Sequence, residues 1–458
     1  MTRAISVAAV VFLVQLGSSG ESAGQVADAR SRSVAGWEQS LKAGSADASG
    51  RLVGGTEIVH LASHKGRLYA GNGYWMDTAP KAHCPWAQVL VLDSPGGSWK
   101  VDLALGPRHL RVTVLESVAF KTDGNGAALA RPVRLLLAGS DSYVRPVQSH
   151  IWTRDDARGT WVKTTLHGDP SARRSTRALV VHRDRVTGAD RVLVAAGALG
   201  IYSGVYDARQ PGRIRWDTKP ELGPLAIRPM SFAEANGSVY ASAGTAVYRR
   251  SDGPSPKWAK VYSDNTPEHW ELGGIRGLTA VPSPTGAGES LLFSHTDRII
   301  RIDPTDDHRA TVECRIRPLL EKAWGTPVPG SIIAAYSDMV PLKDPATGRT
   351  VHVLGVEGRI ERGGKDKMYR EDTFFGWYAG GAYLIRQSGG IYRLREVNGR
   401  WAPGKPKLVA PRAFARSPFP QDAAGYVYVG GFDANFRDAH DTAWIFRAPI
   451  ETVLGHDP

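Results

Sequence analysis

Cysteine is almost missing. Cys84 and Cys314 are the only two in 458 residues, too few for a disulfide framework. They fall in the first and fifth of the repeats described below. Either they pair, or they are two free thiols, and their separation favours the second. Signature motifs are missing too. The single GxSxG match, GESAG at 20–24, lies in the N-terminal leader, and there is no P-loop and no HExxH, so nothing in the body of the chain marks a serine hydrolase, a nucleotide enzyme or a zinc protease. Beyond the N-terminus no apolar run is long enough to span a bilayer.

The N-terminus is different. MTRAISVAAVVFLVQLGSSGESAG has a basic residue at Arg3, an apolar run from Ala4 to Leu16, then small residues. That is the pattern of a secretory signal peptide over residues 1–23. No cysteine follows to take a lipid anchor. The expectation is an exported chain, extracellular or periplasmic, with a Gly/Ser/Ala-rich flexible leader over 24–50 and one domain over 51–458. Net charge is +12, which suits a polyanionic partner or simply an arginine-rich surface. Export makes nucleic acid a poor candidate for that partner. A monomer is expected.

Glycine (51) and proline (29) punctuate the whole chain, which favours many short strands joined by tight turns. A pattern repeats through them. An arginine stands just ahead of an apolar stretch in LRVTVL, TRALVV, IRPMSF, IRGLTAV and PRAFAR. A second strand-like stretch then ends in small residues and Gly, as in LYAG, LLLAG, VLVAAG, VYASAG, VHVLG and VYVGG. A third alternates apolar and polar residues, as in AVYRR and RIIRID. A polar turn and a Trp often close the unit. One such sheet cannot bury both faces alone, so the units must stack. The prediction is all-β: a β-propeller of seven blades over 52–106, 107–170, 171–224, 225–272, 273–328, 329–409 and 410–455. An eight-bladed ring is the alternative, because the sixth unit is long and holds an insertion at 357–381. The recurring Gly fits sheets that approach closely near the axis.

The Trp-closed turns, with Asp93, Gly96 and Trp99 or with Asp252, Gly253 and Trp258, loosely resemble the Asp-boxes of sialidase-type carbohydrate-active propellers. Those boxes read Ser-x-Asp-x-Gly-x-x-Trp. The residue types are kept here and the spacing is not. The Phe-Arg-Ile-Pro stretch of sialidases is absent. The resemblance implies a propeller and a carbohydrate ligand, not a sialidase.

If the arginine-led stretches are innermost strands, Arg111, Arg177, Arg228, Arg276 and Arg412 sit at matching places around the ring. Each guanidinium then either joins an anion-binding funnel or clamps a carboxylate of a neighbouring blade. His60, Glu116, His182 and Glu234 lie on the same stretches and are the catalytic candidates. His60 and His64 have the spacing of a helical metal pair but fall on a strand and turn, so a metal role is not favoured. Lyases of uronic-acid polysaccharides need a base such as His or Tyr and a neutraliser of the carboxylate, often Arg. In the insertion, Lys367, Tyr369, Arg370, Trp377 and Tyr378 could stack on sugars and meet acidic groups. Asp433, Asn435, Asp438 and Asp441 are the kind of oxygen ligand Ca²⁺ takes, but their spacing fits no EF-hand, and a solvated turn is favoured. No cofactor is expected. The leading expectation is binding of an acidic polysaccharide, with elimination as the chemistry if there is cleavage. The alternatives are a non-catalytic extracellular binder of glycan or protein, and a metal-dependent propeller hydrolase.

Overall fold

The computed structural model describes residues 36–74, 85–107, 109–142, 149–167, 175–264, 274–325, 327–359, 380–397, 408–422, 425–432 and 441–456, with backbone alone at 369–370, 373–374 and 377–378. The chain is nearly all β. Its strands form antiparallel sheets, mostly of four strands in sequence order. The first strands of successive sheets are Glu57–His64, His109–Thr122, Thr176–Arg183, Pro229–Ala235, Arg276–Pro282, Ile332–Ala334 with Val340–Lys343, and Ala410–Arg416. Through the first five sheets each first strand packs beside the next. Ala410–Arg416 packs beside both Thr350–Gly358 of the sixth sheet and Glu57–His64 of the first. The sheets therefore radiate from a closed ring of inner strands, the arrangement of a β-propeller.

Ring closure uses both ends of the chain. Glu38–Lys42 pairs antiparallel with Trp444–Pro449 and supplies the outer strand of the last sheet. The leader expected over 24–50 is corrected here, because its second half is structural. Leu41 is buried in the cluster between the last and first sheets, and Trp99 Nε1 donates to Ser40 Oγ at 3.0 Å.

The core lies between sheets, not within one. Val118, Phe120, Leu135 and Leu137 of the second sheet pack against Val192, Val194 and Tyr202 of the third. Val353 and Tyr383 of the sixth pack against Phe414, Val427 and Val429 of the last. Each fully buried Val or Leu contributes about 1.5–3 kcal/mol, so neighbouring sheets hold each other. The glycines ending the second strands mark where they meet. A Cβ on Gly71 would lie 2.7 Å from Val112 of the next inner strand, and one on Gly430 would lie 2.5 Å from Ile58. Gly139 and Gly355 face Thr176 and Pro411 in the same way.

Farther from the axis, a polar pin recurs between sheets. Asp102 of the first sheet accepts from Arg154 Nε (2.8 Å) and Trp161 Nε1 (2.7 Å) of the second. Glu221, just after the third sheet, accepts from Arg250 Nε (2.8 Å) and Trp258 Nε1 (3.3 Å) of the fourth. Glu313 of the fifth accepts from Arg386 Nε (2.8 Å) and Tyr392 OH (2.9 Å) of the sixth. A carboxylate on one sheet's outer edge thus meets a guanidinium and an aromatic donor of the next. The Trp of the Trp-closed unit supplies that donor in two of the three pins.

Cys314 is a buried free thiol, pushed up to about 12 by burial and by Glu313. Cys84 lies outside the described residues. No described helix is long and apolar enough to cross a membrane.

Candidate functional site

An arginine occupies or nearly occupies the start of five inner strands. Arg111, Arg177, Arg276 and Arg412 lie within the first few residues of theirs, and Arg228 stands just before its own. Matching starts bring matching side chains to one level of the ring. At that level sits Tyr336. Its ring has the Arg412 guanidinium carbon 3.8 Å from its centre, that of Arg177 at 4.3 Å and that of Arg276 at 5.2 Å. These are cation–π distances.

Tyr336 reaches this position because the inner strand of the sixth sheet is broken. Ile332–Ala334 and Val340–Lys343 both pair with Thr350–Gly358, and residues 335–339 leave the sheet between them. Ala335 takes a left-handed φ of 49°. It lies against Gly277, whose φ of 61° admits no ordinary side chain. Ser337 Oγ donates to Val59 O at 2.8 Å, tying the excursion to the first sheet's inner strand. Sequence reading missed Tyr336, Ser337 and Asp338. The polar AYSD between two apolar pieces was the available signal.

The arginines do not all do one thing. Arg412 is clamped, with Nη1 3.0 Å from Glu357 Oε1 and Nε 3.4 Å from Glu57 Oε2. Arg111 Nη1 is 3.7 Å from the other oxygen of Glu57. Both glutamates are fully enclosed; burial pushes the Glu357 carboxyl up against the pull of Arg412. Arg228 is half-buried and donates to Ser175 Oγ at 3.3 Å. Arg276 is pulled down to about 9 by burial and by Arg177, which still leaves it charged at neutral pH. Arg177 is buried, and its Nη2 has no hydrogen-bond partner among the described residues.

Arg177 also lines a recess with His60, Glu116, Phe232, Ser337 and Asp338. Its enclosed space is about 50 Å³, room for a water molecule or two. Glu116 and Asp338 are exposed to the water of the recess, yet protein atoms crowd round them on every side, as on the wall of a channel. Enclosure raises the Asp338 carboxyl to about 6 against the opposing charge of Arg177. Glu116 is raised by enclosure and by the charge of Asp338. His60 Nε2 is 2.8 Å from Thr113 O, so Nε2 carries the hydrogen and Nδ1 is the basic nitrogen. Burial and Arg177 depress His60 to about 3, so it is neutral. Two carboxyls, a neutral imidazole and a guanidinium in one recess can bind an anion and move a proton.

The other catalytic candidates are not brought there. His182 lies at the far end of its strand from Arg177, about 16 Å along it. Its Nδ1 meets Glu234 Oε2 at 3.1 Å and its Nε2 meets Asp252 Oδ1 at 3.0 Å. His182 and Glu234 thus lock the third sheet to the fourth, a correction to their expected place beside the arginines. His60 and His64 have different partners and form no metal pair. Among the described residues no group of three or more His, Cys, Asp or Glu could hold a metal. Asp433, Asn435 and Asp438 lie outside the described residues, as does Lys367. Asp441 is described and bridges to Gly55. The backbone of Tyr369–Arg370, Thr373–Phe374 and Trp377–Tyr378 forms a small antiparallel sheet of its own.

No protein-family model and no curated protein sequence matches the chain. Among solved structures it is similar to the GH93 alpha-L-arabinofuranosidase of Fusarium graminearum in complex with arabinobiose. The identity is 12%, the TM-score 0.38, and the match covers 66% of this chain and 88% of that one. A mutant of the alpha-L-arabinofuranosidase from the same organism, with an iminosugar inhibitor, matches with the same values. Likeness at this level carries no argument about what the present chain does.

Proposed function

We propose that the protein is an exported, monomeric propeller of seven blades that binds an acidic polysaccharide at the arginine end of its axis and cleaves it by elimination. Arg177 carries the reading. It is a buried guanidinium beside a solvent-touched recess, with a nitrogen that no described residue answers, and a carboxylate matches its planar fork. The small recess admits the carboxylate of a uronate and leaves the sugar ring at its mouth; on Arg177 the carboxylate has its charge neutralised, which acidifies the adjacent C–H. Asp338, ionised above about 6, takes that proton. Glu116, held up by enclosure and by Asp338, gives one to the departing glycosidic oxygen. The C–O bond breaks as the C=C bond forms. His60 stays neutral beside them. The insertion residues Lys367, Tyr369, Arg370, Trp377 and Tyr378 would extend the binding face.

The test is incubation with polygalacturonate, alginate and a sulfated uronate-containing glycan, with neutral arabinan as control. Ultraviolet absorbance from unsaturated uronate is expected, and it should vanish in Asp338→Asn. Arg177→Ala should weaken binding of the acidic glycans roughly 10- to 100-fold, the worth of one charge-assisted contact. New reducing ends without absorbance would replace elimination by hydrolysis through the same two carboxyls. Binding that survives Arg177→Ala unchanged, or that favours arabinan, would remove the acidic-glycan reading.

A further inference from the structure

The far end of the channel holds a second set of reactive groups, whose cleft shares only Glu116 with the recess beside Arg177. His64 ends the first inner strand. Its Nδ1 is 2.7 Å from Ser117 Oγ and its Nε2 is 3.0 Å from Asp156 Oδ2. Ser117 is half-buried and borders a cleft of about 410 Å³, with Ser63, Glu116 and Arg134 also on its wall. We propose that Ser117, His64 and Asp156 form a nucleophile–base–carboxylate relay that hydrolyses small O-acyl esters in this cleft.

A pin between sheets elsewhere in the ring has nearly the same composition. His182 holds the same place two sheets on. It also bonds the inner strand of the following sheet through Nδ1 and that sheet's turn aspartate through Nε2. There, however, the Nδ1 partner is the carboxylate of Glu234, so the imidazole is held between two acceptors. In the first copy that partner is the hydroxyl of Ser117. One change of residue replaces a carboxylate at Nδ1 by a hydroxyl that can give its proton to that nitrogen.

The remaining geometry agrees. Asp156 accepts from Lys65 Nζ at 2.6 Å and from Arg154 Nη1 at 2.7 Å as well as from His64. Burial would raise its carboxyl, but these donors bring it down to about 2, so it is ionised and fixes the hydrogen of His64 on Nε2. Nδ1 is then the acceptor for the Ser117 hydroxyl. Burial lowers His64 below its ordinary value, against the pull of Asp156, which keeps it neutral at pH 7. Ser117 lies within a strand, not on a strand-to-helix elbow, so no GxSxG marks it.

In the reaction Ser117 Oγ attacks the acyl carbon and its proton passes to His64 Nδ1. The oxyanion forms beside the cation of Arg134. Collapse breaks the ester C–O bond, and the alcohol leaves with the proton from His64. Water, deprotonated by His64, then cleaves the acyl-Ser117 ester, releasing the carboxylic acid and restoring the serine.

The test uses the purified protein with p-nitrophenyl acetate and a fluorophosphonate probe. Probe mass should map to Ser117 in the folded protein. Ser117→Ala should lower ester turnover roughly a hundredfold or more while the melting temperature falls by no more than the loss of one hydrogen bond. Ser117→Glu copies the Glu234 arrangement, so it should keep the fold and still abolish turnover. Labelling that misses Ser117, or turnover that survives either substitution, would overturn the relay and leave His64 as a pin.

Discussion

At the residue scale, one side-chain type is used in opposite ways a few ångströms apart. Arg412 stands between Glu57 and Glu357, all three buried. Taking it away leaves two enclosed carboxylates without their nearest cation. Loss of one partner from such a cluster costs about 3–5 kcal/mol. Arg177 stands among other cations, and its charge depresses His60 and Arg276. Arg412→Ala should therefore lower the urea midpoint sharply. Arg177→Ala should leave it within about 1 kcal/mol of the parent while weakening anion binding roughly 10- to 100-fold. Equal midpoints for the two variants would mean that both arginines do the same job. The repeated x-Arg pattern made the common level of these side chains legible in the sequence. Which arginine meets a carboxylate was not legible, because Glu57 and Glu357 belong to different sheets and nothing local links them to residue 412.

At the element scale, the two features hidden from sequence reading are a strand that arrives from far away and a strand that breaks. Glu38–Lys42 sits in a Gly/Ser/Ala-rich stretch whose composition suggests a flexible leader. Its partner, Trp444–Pro449, lies at the other end of the chain, so no short-range pattern announces the pairing. Removing residues through Lys42 should expose the edge of Trp444–Pro449, uncover the cluster holding Leu41, and free Trp99 Nε1 from Ser40. Reburying Leu41 alone is worth about 1.5–3 kcal/mol. The truncated protein should lose at least about that much in urea unfolding. An unchanged midpoint would show that the ring closes without this strand. The broken strand is different. Its two halves are apolar and strand-like, and only the left-handed Ala335 against Gly277 reveals that the residues between them turn inward. Local sequence shows that AYSD is polar, but it takes the neighbouring sheet to say where it goes.

At the scale of the whole molecule, burial between sheets fixes how the protein answers to acid. His60, His109 and His352 are held down to about 3, 4 and 4. Burial is the first cause in each, joined by the charges of Arg177, Lys163 and Arg386 respectively. In the unfolded chain each would titrate near 6.5. Between that value and about 4 the unfolded state binds protons that the folded state refuses, so stability falls as pH falls. A fully enclosed histidine contributes up to about 1.4 kcal/mol per pH unit in that window. Asp338 acts the other way. Its folded value near 6 lies above that of a free carboxyl, so its share is present at low pH and is lost as pH rises through 6. Glu116 and Glu357 are raised likewise, but Glu116 and Asp338 meet channel water and Arg412 pulls Glu357 back, whereas two of the three imidazoles are almost fully buried. The histidines should win. The melting temperature, followed by scanning fluorimetry at constant ionic strength, should fall steadily from pH 7 to pH 4.5. His352→Gln should make that fall shallower, and Asp338→Asn should make it steeper. A flat profile would mean that the enclosed histidines carry charge in the folded ring, and that the inner and outer surfaces of the sheets are wetter than their packing implies.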